Sequence, residues 1–414
     1  MSKLKGIKDY SENELRHKIK TIIEKHYRRY GFESVETSVL TPMDVLTSKY
    51  GGGAEILEEI YRLTDRGDRD LGLRFDLTVP LMKVLREKSE SIRKPFKRYE
   101  IGKVFRDGPT KKGRLREFTQ CDADIVGCDK LLAEVELINM VLDIFEEVGL
   151  SVKVKVNNRK ILEGYLTSKG IEDEKIDEVI LTIDKLEKLE FDTLVKELID
   201  KGLSEQLAKD TLSELTDASY DDLKSIDNQI VQEGLSELSE VTDYIRALGR
   251  EDYILFTPTL ARGLNFYDGL VYEVFTTEGN VTSSIAAGGR YNKGVREVTS
   301  SDSSAVGISI GLDVVYELLK DETTTNRDGV LVIPLGKEYE IDALKIATTY
   351  RSKGYLAEVE KVDRSIGKSF KYADRTNKRY AIVIGEQEVK ENKVTVKDLK
   401  TGEELVEPLP NKEQ

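Results

Sequence analysis

The stretch from Thr259 to Phe275, TLARGLNFYDGLVYEVF, constrains the fold more than any other part of the chain. It places one arginine, two glycines and four aromatic residues in a β-favouring run between a loop and a strand. Arg262 precedes a glycine, so the backbone there can take a conformation other residues avoid, and the guanidinium can be aimed. Tyr267 follows, and Leu270, Tyr272 and Val274 alternate as one face of a strand. Two readings fit: a strand with a surface arginine and core tyrosines, or one wall of a binding site. A second stretch, Ser284 to Asn292, SIAAGGRYN, favours the site, because two glycines clear space beside Arg290 and Tyr291.

At 414 residues the chain has room for two or three domains. Its formal net charge of −13 means that any nucleic-acid contact must come from a local basic patch. The only cysteines, Cys121 and Cys128, argue against a disulfide framework and against a zinc site, and read as reduced structural thiols. Both histidines, His17 and His26, fall in the first amphipathic helix among Lys and Arg, which argues against histidine general-base or nucleophile chemistry. No secretory segment and no long apolar run is visible, so the expected location is the cytoplasm, with no membrane partner.

Along the chain, SENE at 11–14 reads as a capping box, and Leu15, Ile19, Ile22, Ile23 and Tyr27 follow at helical spacing. Gly31 ends that helix, and Phe32 to Leu40 reads as a strand. Arg69 to Pro80 is expected to be a strand ending in Asp76 and Thr78, an acid that backbone donors alone could satisfy. Arg98 to Gly127 reads as strand, basic loop, strand. Lys111, Lys112, Arg114 and Arg116 concentrate charge in the loop, as a solvated hairpin tip or a phosphate-binding one. On the returning strand Gln120, Asp122 and Asp124 share one face at period two, odd for a core and natural for a pocket.

A helix over Leu131 to Val148, stopped by Gly149, and a strand from Val152 to Val156 come next. Lys160 to Arg250 reads as an inserted helical block, and Ala305 to Leu319 as a strand running into a helix through GISIG. Beyond the polar linker Asp321 to Asp328, alternating β and α signals give a small α/β module, with GEQEVKENKVTVKDL as its closing strands.

With LARGLNFYDG and AAGGRYN in this order and spacing, the chain resembles the histidyl-tRNA synthetases from Lys5 to about Pro408. The resemblance implies an α/β protein: an α+β catalytic core with an antiparallel sheet of class II synthetase type, a helical insertion and a C-terminal α/β anticodon-binding domain. The corresponding ranges are 1–155 and 251–322 for the core, 156–250 for the insertion and 327–414 for the last domain. It further implies ligation of L-histidine to the 3′ end of tRNA(His) through histidyl-adenylate, with ATP as substrate, Mg2+ shielding pyrophosphate, and a homodimer built on the first helix and strand.

By the same resemblance Arg262 and Arg106 are the catalytic residues. Asp76, Thr78, Gln120, Asp124, Tyr267 and Tyr291 bind histidine. Arg106, Arg114, Phe118 and Gly311 bind ATP. The chain departs from the family at Ser38, where a proline is usual, at Gly108, where an acid is usual, and at Val314, where an arginine is usual. Those departures leave open a rival reading, a synthetase paralogue that binds histidine as a regulatory or sensor subunit.

Overall fold

Helical periodicity near the N-terminus becomes the helix Glu14–Arg29, which buries Ile19, Ile22, Ile23 and Tyr27 along one stripe. Ser11 and Glu12 of the expected capping box lie outside the described residues, and Asn13 stands at the cap position without a side-chain bond. The structure, a computed structural model, describes residues 4–10, 13–47, 57–88, 92–110, 114–186, 188–262, 266–278, 283–299, 303–320 and 329–409. It forms two units, 1–321 and 322–414.

In the first unit the strands are β1 (Glu33–Ser34), β2 (Leu40–Pro42), β3 (Arg62–Thr64), β4 (Asp70–Leu73), β5 (Phe96–Phe105) and β6 (Glu117–Val126), then β7 (Val152–Asn158), β8 (Ile254–Phe256), β9 (Leu270–Thr276), β10 (Ala286–Arg290) and β11 (Ala305–Gly311). Eight of them form one sheet in the order β1-β5-β6-β11-β10-β9-β7-β8. Its interior pairs are antiparallel, while β1 with β5 and β7 with β8 are parallel. A small sheet, β2-β4-β3, stands apart.

Two expected strands come out differently. Phe32 to Leu40 yields only the short β1 and the start of β2. Arg69 to Pro80 yields β4 and then a helix, Thr78–Lys88, because the Asp76 carboxylate accepts the Val79 N–H at 3.0 Å and opens a helical turn. Pro80 falls in that first turn, where its missing N–H is no loss.

Alternation along β6 divides its neighbours. Cys121, Ala123 and Ile125 join one core with Ile19, Ile23 and Tyr27 and with Leu137, Ile138, Val141 and Phe145 of the helix Leu132–Val148. Each such aliphatic or aromatic burial is worth about 1.5–3 kcal/mol. Asp122 and Asp124 point to the opposite face and are also buried, at 3% and 4% exposure. Between β7 and β8 the chain is helical: Arg159–Ser168, Asp173–Ile183, Phe191–Asp200, Glu205–Asp217, Tyr220–Lys224 and Gln229–Ala247.

The second unit comprises β12 (Gly329–Pro334), the helix Glu340–Ser352, β13 (Leu356–Val359), the helix Ile366–Arg375, β14 (Lys378–Ile384), the helix Glu386–Glu391, β15 (Lys393–Asp398) and β16 (Glu404–Pro408). Its sheet runs β13-β12-β14-β15-β16, over a core that includes Val332, Ile346, Ile382 and Ile384. The stretch expected to supply only closing strands begins instead as the helix Glu386–Glu391, because the Glu388 carboxylate accepts the Gly385 N–H at 2.9 Å. The linker Asp321 to Asp328 lies outside the described residues.

Candidate active site

The polar face of β6 forms the floor of a cavity of about 550 Å3, its open mouth included, with Gln120, Asp122 and Asp124 side by side. Asp76 and Thr78 enter from the start of their helix and Arg106 from the end of β5. Arg262, Phe266 and Tyr267 come from the loop before β9, and Tyr291 from just beyond β10. Thus eight expected residues meet in one place: Arg262, Arg106, Asp76, Thr78, Gln120, Asp124, Tyr267 and Tyr291.

Asp124 is tightly held. Tyr291 donates its hydroxyl to Asp124 Oδ1 at 2.5 Å, and Arg98 Nη2 lies 2.7 Å from Asp124 Oδ2. The second contact is ionic without hydrogen-bond alignment, since Asp124 Oδ2 finds no hydrogen-bond partner among the described residues and Arg98 Nη2 donates instead to the Leu77 carbonyl at 3.2 Å. Gly307 on β11 makes the room: a Cβ there would stand 2.0 Å from Asp124 Oδ1. Burial works against the Arg98 charge, yet Asp124, Asp122 and Glu100 around it hold its pKa up.

Asp122 is held differently. Burial pushes its pKa up to about 8, the Arg98 charge opposing, and it receives the Ser309 hydroxyl. Ser309 in turn accepts from Gln120 Nε2 at 2.8 Å. Asp122 Oδ1 and Gln120 Oε1 remain buried without a partner among the described residues.

Asp76 caps a helix and also lines the cavity. Burial raises its pKa, while the Val79 amide and the Arg106 charge pull it back. Arg106 donates Nε to the Phe75 carbonyl at 3.0 Å and lies 5.2 Å above the Phe118 ring. Arg262 has φ +61, the left-handed region, as its place before a glycine suggested. Its Nη1 donates to Glu273 at 2.6 Å, its guanidinium sits 5.6 Å over Tyr267, and its Nε is buried without a partner among the described residues. Burial opposes the charge, but Tyr267 and Glu273 more than restore it, so its pKa stands above the usual arginine value.

Arg290 has another task. It pairs with the buried Glu134 through Nε at 2.5 Å and Nη2 at 2.6 Å, behind the cavity. Three expected nucleotide residues do not line the cavity. Phe118 lies under Arg106. Gly311 ends β11 opposite Gln120. Arg114 donates to Glu59 Oε1 at 2.8 Å. Lys111 and Lys112 lie outside the described residues.

Around the departures, Asp107 faces Arg116 at 3.3 Å, and the carboxylate beside Gly108 belongs to Glu59. Asp313 accepts from Tyr10 at 2.7 Å, from Arg16 Nε at 3.1 Å and from the Thr119 amide at 2.6 Å, while Val314 packs against the main core. Sequence reasoning missed Arg98, Ser309, Phe266 and Glu59 and gave Asp122 no task. Two of them had a usable signal, since Arg98 and Ser309 stand directly opposite Asp124 and Asp122 once the strands are paired.

His26 pairs with Glu147 at 2.8 Å and does not line the cavity. Among the described residues, no His, Cys, Asp and Glu gather in threes as metal ligands do, and no helix is long and apolar enough to cross a membrane.

Residues 6–315 match the family described as histidyl-tRNA synthetase, and residues 329–410 match the anticodon binding domain. "Histidine--tRNA ligase 1" of Bacillus cereus is 43% identical over 99% of this chain and 98% of its own length. The protein of the same name from Bacillus anthracis is 44% identical over 98% of this chain and 97% of its own. The crystal structure of histidyl-tRNA synthetase from Nostoc sp. PCC 7120 superposes with a TM-score of 0.85 at 30% identity, covering 99% of this chain and 97% of that one. Matched from end to end in sequence and in fold, the chain belongs to the histidyl-tRNA synthetase family.

Proposed function

We propose that this protein is a histidine-tRNA ligase whose cavity activates L-histidine with ATP and passes it to tRNA(His). The observation that carries the reading is the meeting of two arginines, Arg106 and Arg262, with the polar row Gln120, Asp122 and Asp124 in one cavity. The histidine carboxylate attacks the α-phosphorus of ATP: a new O–P bond forms as the bond to pyrophosphate breaks. A ribose hydroxyl of the tRNA terminal adenosine then attacks the acyl carbon and AMP leaves. The protein supplies position and charge rather than a covalent intermediate.

Arg262 and Arg106 take the charge that grows on the α-phosphate. Asp76 holds the α-ammonium group with Thr78 beside it, and Tyr267 and Tyr291 enclose the substrate. Arg114, Phe118 and Gly311 attend the nucleotide at the edge of the site. Mg2+ arrives with ATP, as part of that substrate. The ranges 1–155 and 251–322 act as the catalytic core, 156–250 as the insertion and 327–414 as the anticodon reader. A homodimer through the first helix and the segment after it, acting in the cytoplasm, completes the reading.

The rival, a histidine-sensing paralogue without ligase activity, is not favoured, because the relatives matched over their full length are ligases and a C-terminal anticodon-binding stretch is present. Histidine-dependent ATP–pyrophosphate exchange with purified protein tests the proposal. Exchange that needs histidine and falls by about 10²-fold or more in Arg262→Ala is expected. Histidine binding without exchange would sink the enzyme reading.

A further inference from the structure

We infer that Glu273 is a positioning residue for the activation step: from a central strand it fixes the guanidinium of Arg262, so that an arginine carried on a loop is held by the sheet. This rests on the reading of the cavity as a histidine-activating site. The loop backbone has its own anchor, since Asn157 Nδ2 donates to the carbonyls of Pro258 at 2.8 Å and Leu260 at 2.9 Å. Neither bond reaches the Arg262 side chain, whose torsions must be fixed before its charge can meet one that develops on a substrate.

Glu273 supplies that second anchor. It stands inside the eight-stranded sheet, directly opposite Lys155 of β7 and Ala287 of β10, and Ala287 lines the cavity. Residues opposite one another share a sheet face, so the Glu273 side chain rises on the cavity side. Its carboxylate accepts from Arg262 Nη1 at 2.6 Å. Among the described residues Arg262 is the one hydrogen-bonding and ionic partner of that carboxylate. A group on a paired strand holds its place better than one on a loop, and the bond passes that rigidity to the guanidinium.

The nitrogen that Glu273 takes is informative. Engaging Nη1 leaves the other edge of the guanidinium, where the N–H groups of Nε and Nη2 run parallel, the fork that grips two oxygens of a phosphate. Nε is buried without a partner among the described residues, which is unfavourable unless a ligand brings an acceptor. A structural role for the pair is the poorer account. Its side chains are 20% and 17% exposed, where an ion pair adds little stability. Glu273 also borders a second cavity, of about 350 Å3 with its open mouth included, beside Thr257, Thr259 and Leu260 rather than packed core.

The test measures histidine-dependent ATP–pyrophosphate exchange in wild type, Glu273→Ala, Glu273→Gln, Arg262→Ala and the double variant, with melting temperatures alongside. Glu273→Ala should lower kcat by about tenfold or more, short of the loss in Arg262→Ala, while the KM values for histidine and ATP stay within about threefold. Its melting temperature should stay within about 3 °C of wild type. Glu273→Gln keeps an acceptor at the same reach and should recover most of the lost rate. In the Arg262→Ala background, Glu273→Ala should lower the rate no further, because its effect runs through the arginine. A further fall in that background, or an unchanged kcat in Glu273→Ala, would overturn the inference. Absence of exchange in the wild type would instead strike the activity. Crystal structures of wild type and Glu273→Ala would then decide: the inference requires a guanidinium ordered in the first and spread over rotamers in the second, and it falls if both are equally ordered.

Discussion

Glu59 puts its carboxylate where a side chain at position 108 would have to stand: a Cβ added to Gly108 would lie 2.1 Å from Glu59 Oε1, the atom that accepts from Arg114 Nη2. Gly108 therefore leaves no gap in local charge, because an acid from elsewhere in the chain fills the space. The Glu59 side chain is flexible and can swing away, so Gly108→Ala should change stability by about 0.5 kcal/mol or less while separating Glu59 from Arg114. We expect the KM for ATP to rise several-fold with little change in melting temperature. Loss of melting temperature without a change in ATP affinity would remove Arg114 from the nucleotide site.

Arg262 adopts a left-handed backbone, which strains any residue but glycine by about 1 kcal/mol or more. Arg262→Ala and Arg262→Gly both lose the guanidinium and both leave Glu273 without its partner. Both should lose activity by about 10²-fold, yet the glycine variant should be the more stable by about 1 kcal/mol. Chemical denaturation of the two proteins side by side reads that difference. Equal stabilities would mean that the loop relaxes once the side chain is gone.

Burial holds the Asp122 carboxyl up at about 8 in the folded protein, far above its value in an unfolded chain. The folded state therefore keeps a proton that the unfolded state releases near pH 4. The stability tied to that proton is fully present below the unfolded pKa and is lost as pH rises toward 8. Asp76 and Asp124 are shifted in the same direction, so the total curve does not isolate one group. The difference between wild type and Asp122→Asn does: melting temperature from pH 5 to 8.5 should fall more steeply in the wild type. A parallel pair of curves would mean that Asp122 is ionised throughout.

Arg290 and Glu134 form a buried bidentate pair, with side-chain exposures of 7% and 0%. Removing one partner strands the other charge, so Glu134→Leu alone should cost about 3–5 kcal/mol. Glu134→Leu with Arg290→Met should cost clearly less than the sum, a coupling that a double-mutant cycle measures. Strict additivity would mean that the carbonyls of Cys128 and Lys130, which Arg290 also reaches, carry the charge unaided.

Much of this site was legible in one dimension because strand alternation is a local rule. The polar face of β6 and the aromatic run around Tyr267 follow from spacing alone, and both line the cavity. Partners that arrive from other elements need more than local rules. Arg98 comes beside its carboxylates only once β5 is paired with β6, and nothing in the sequence around Glu59 says that it covers Gly108. The segment around Asp76 was misread as strand because its apolar residues suit either form, and the capping bond to Val79 decides for helix.

Strands β7 and β8 are parallel neighbours, Val156 lying beside Phe256. Parallel strands need a crossover of only about a dozen residues. The chain between Asn158 and Ile254 is many times longer, so joining the two strands accounts for little of it. The rest is put to packing: Ile161, Leu162, Leu235 and Leu238 share one core with Val154, Tyr272 and Val274 of the sheet, so the crossover doubles as a roof for the strands it joins.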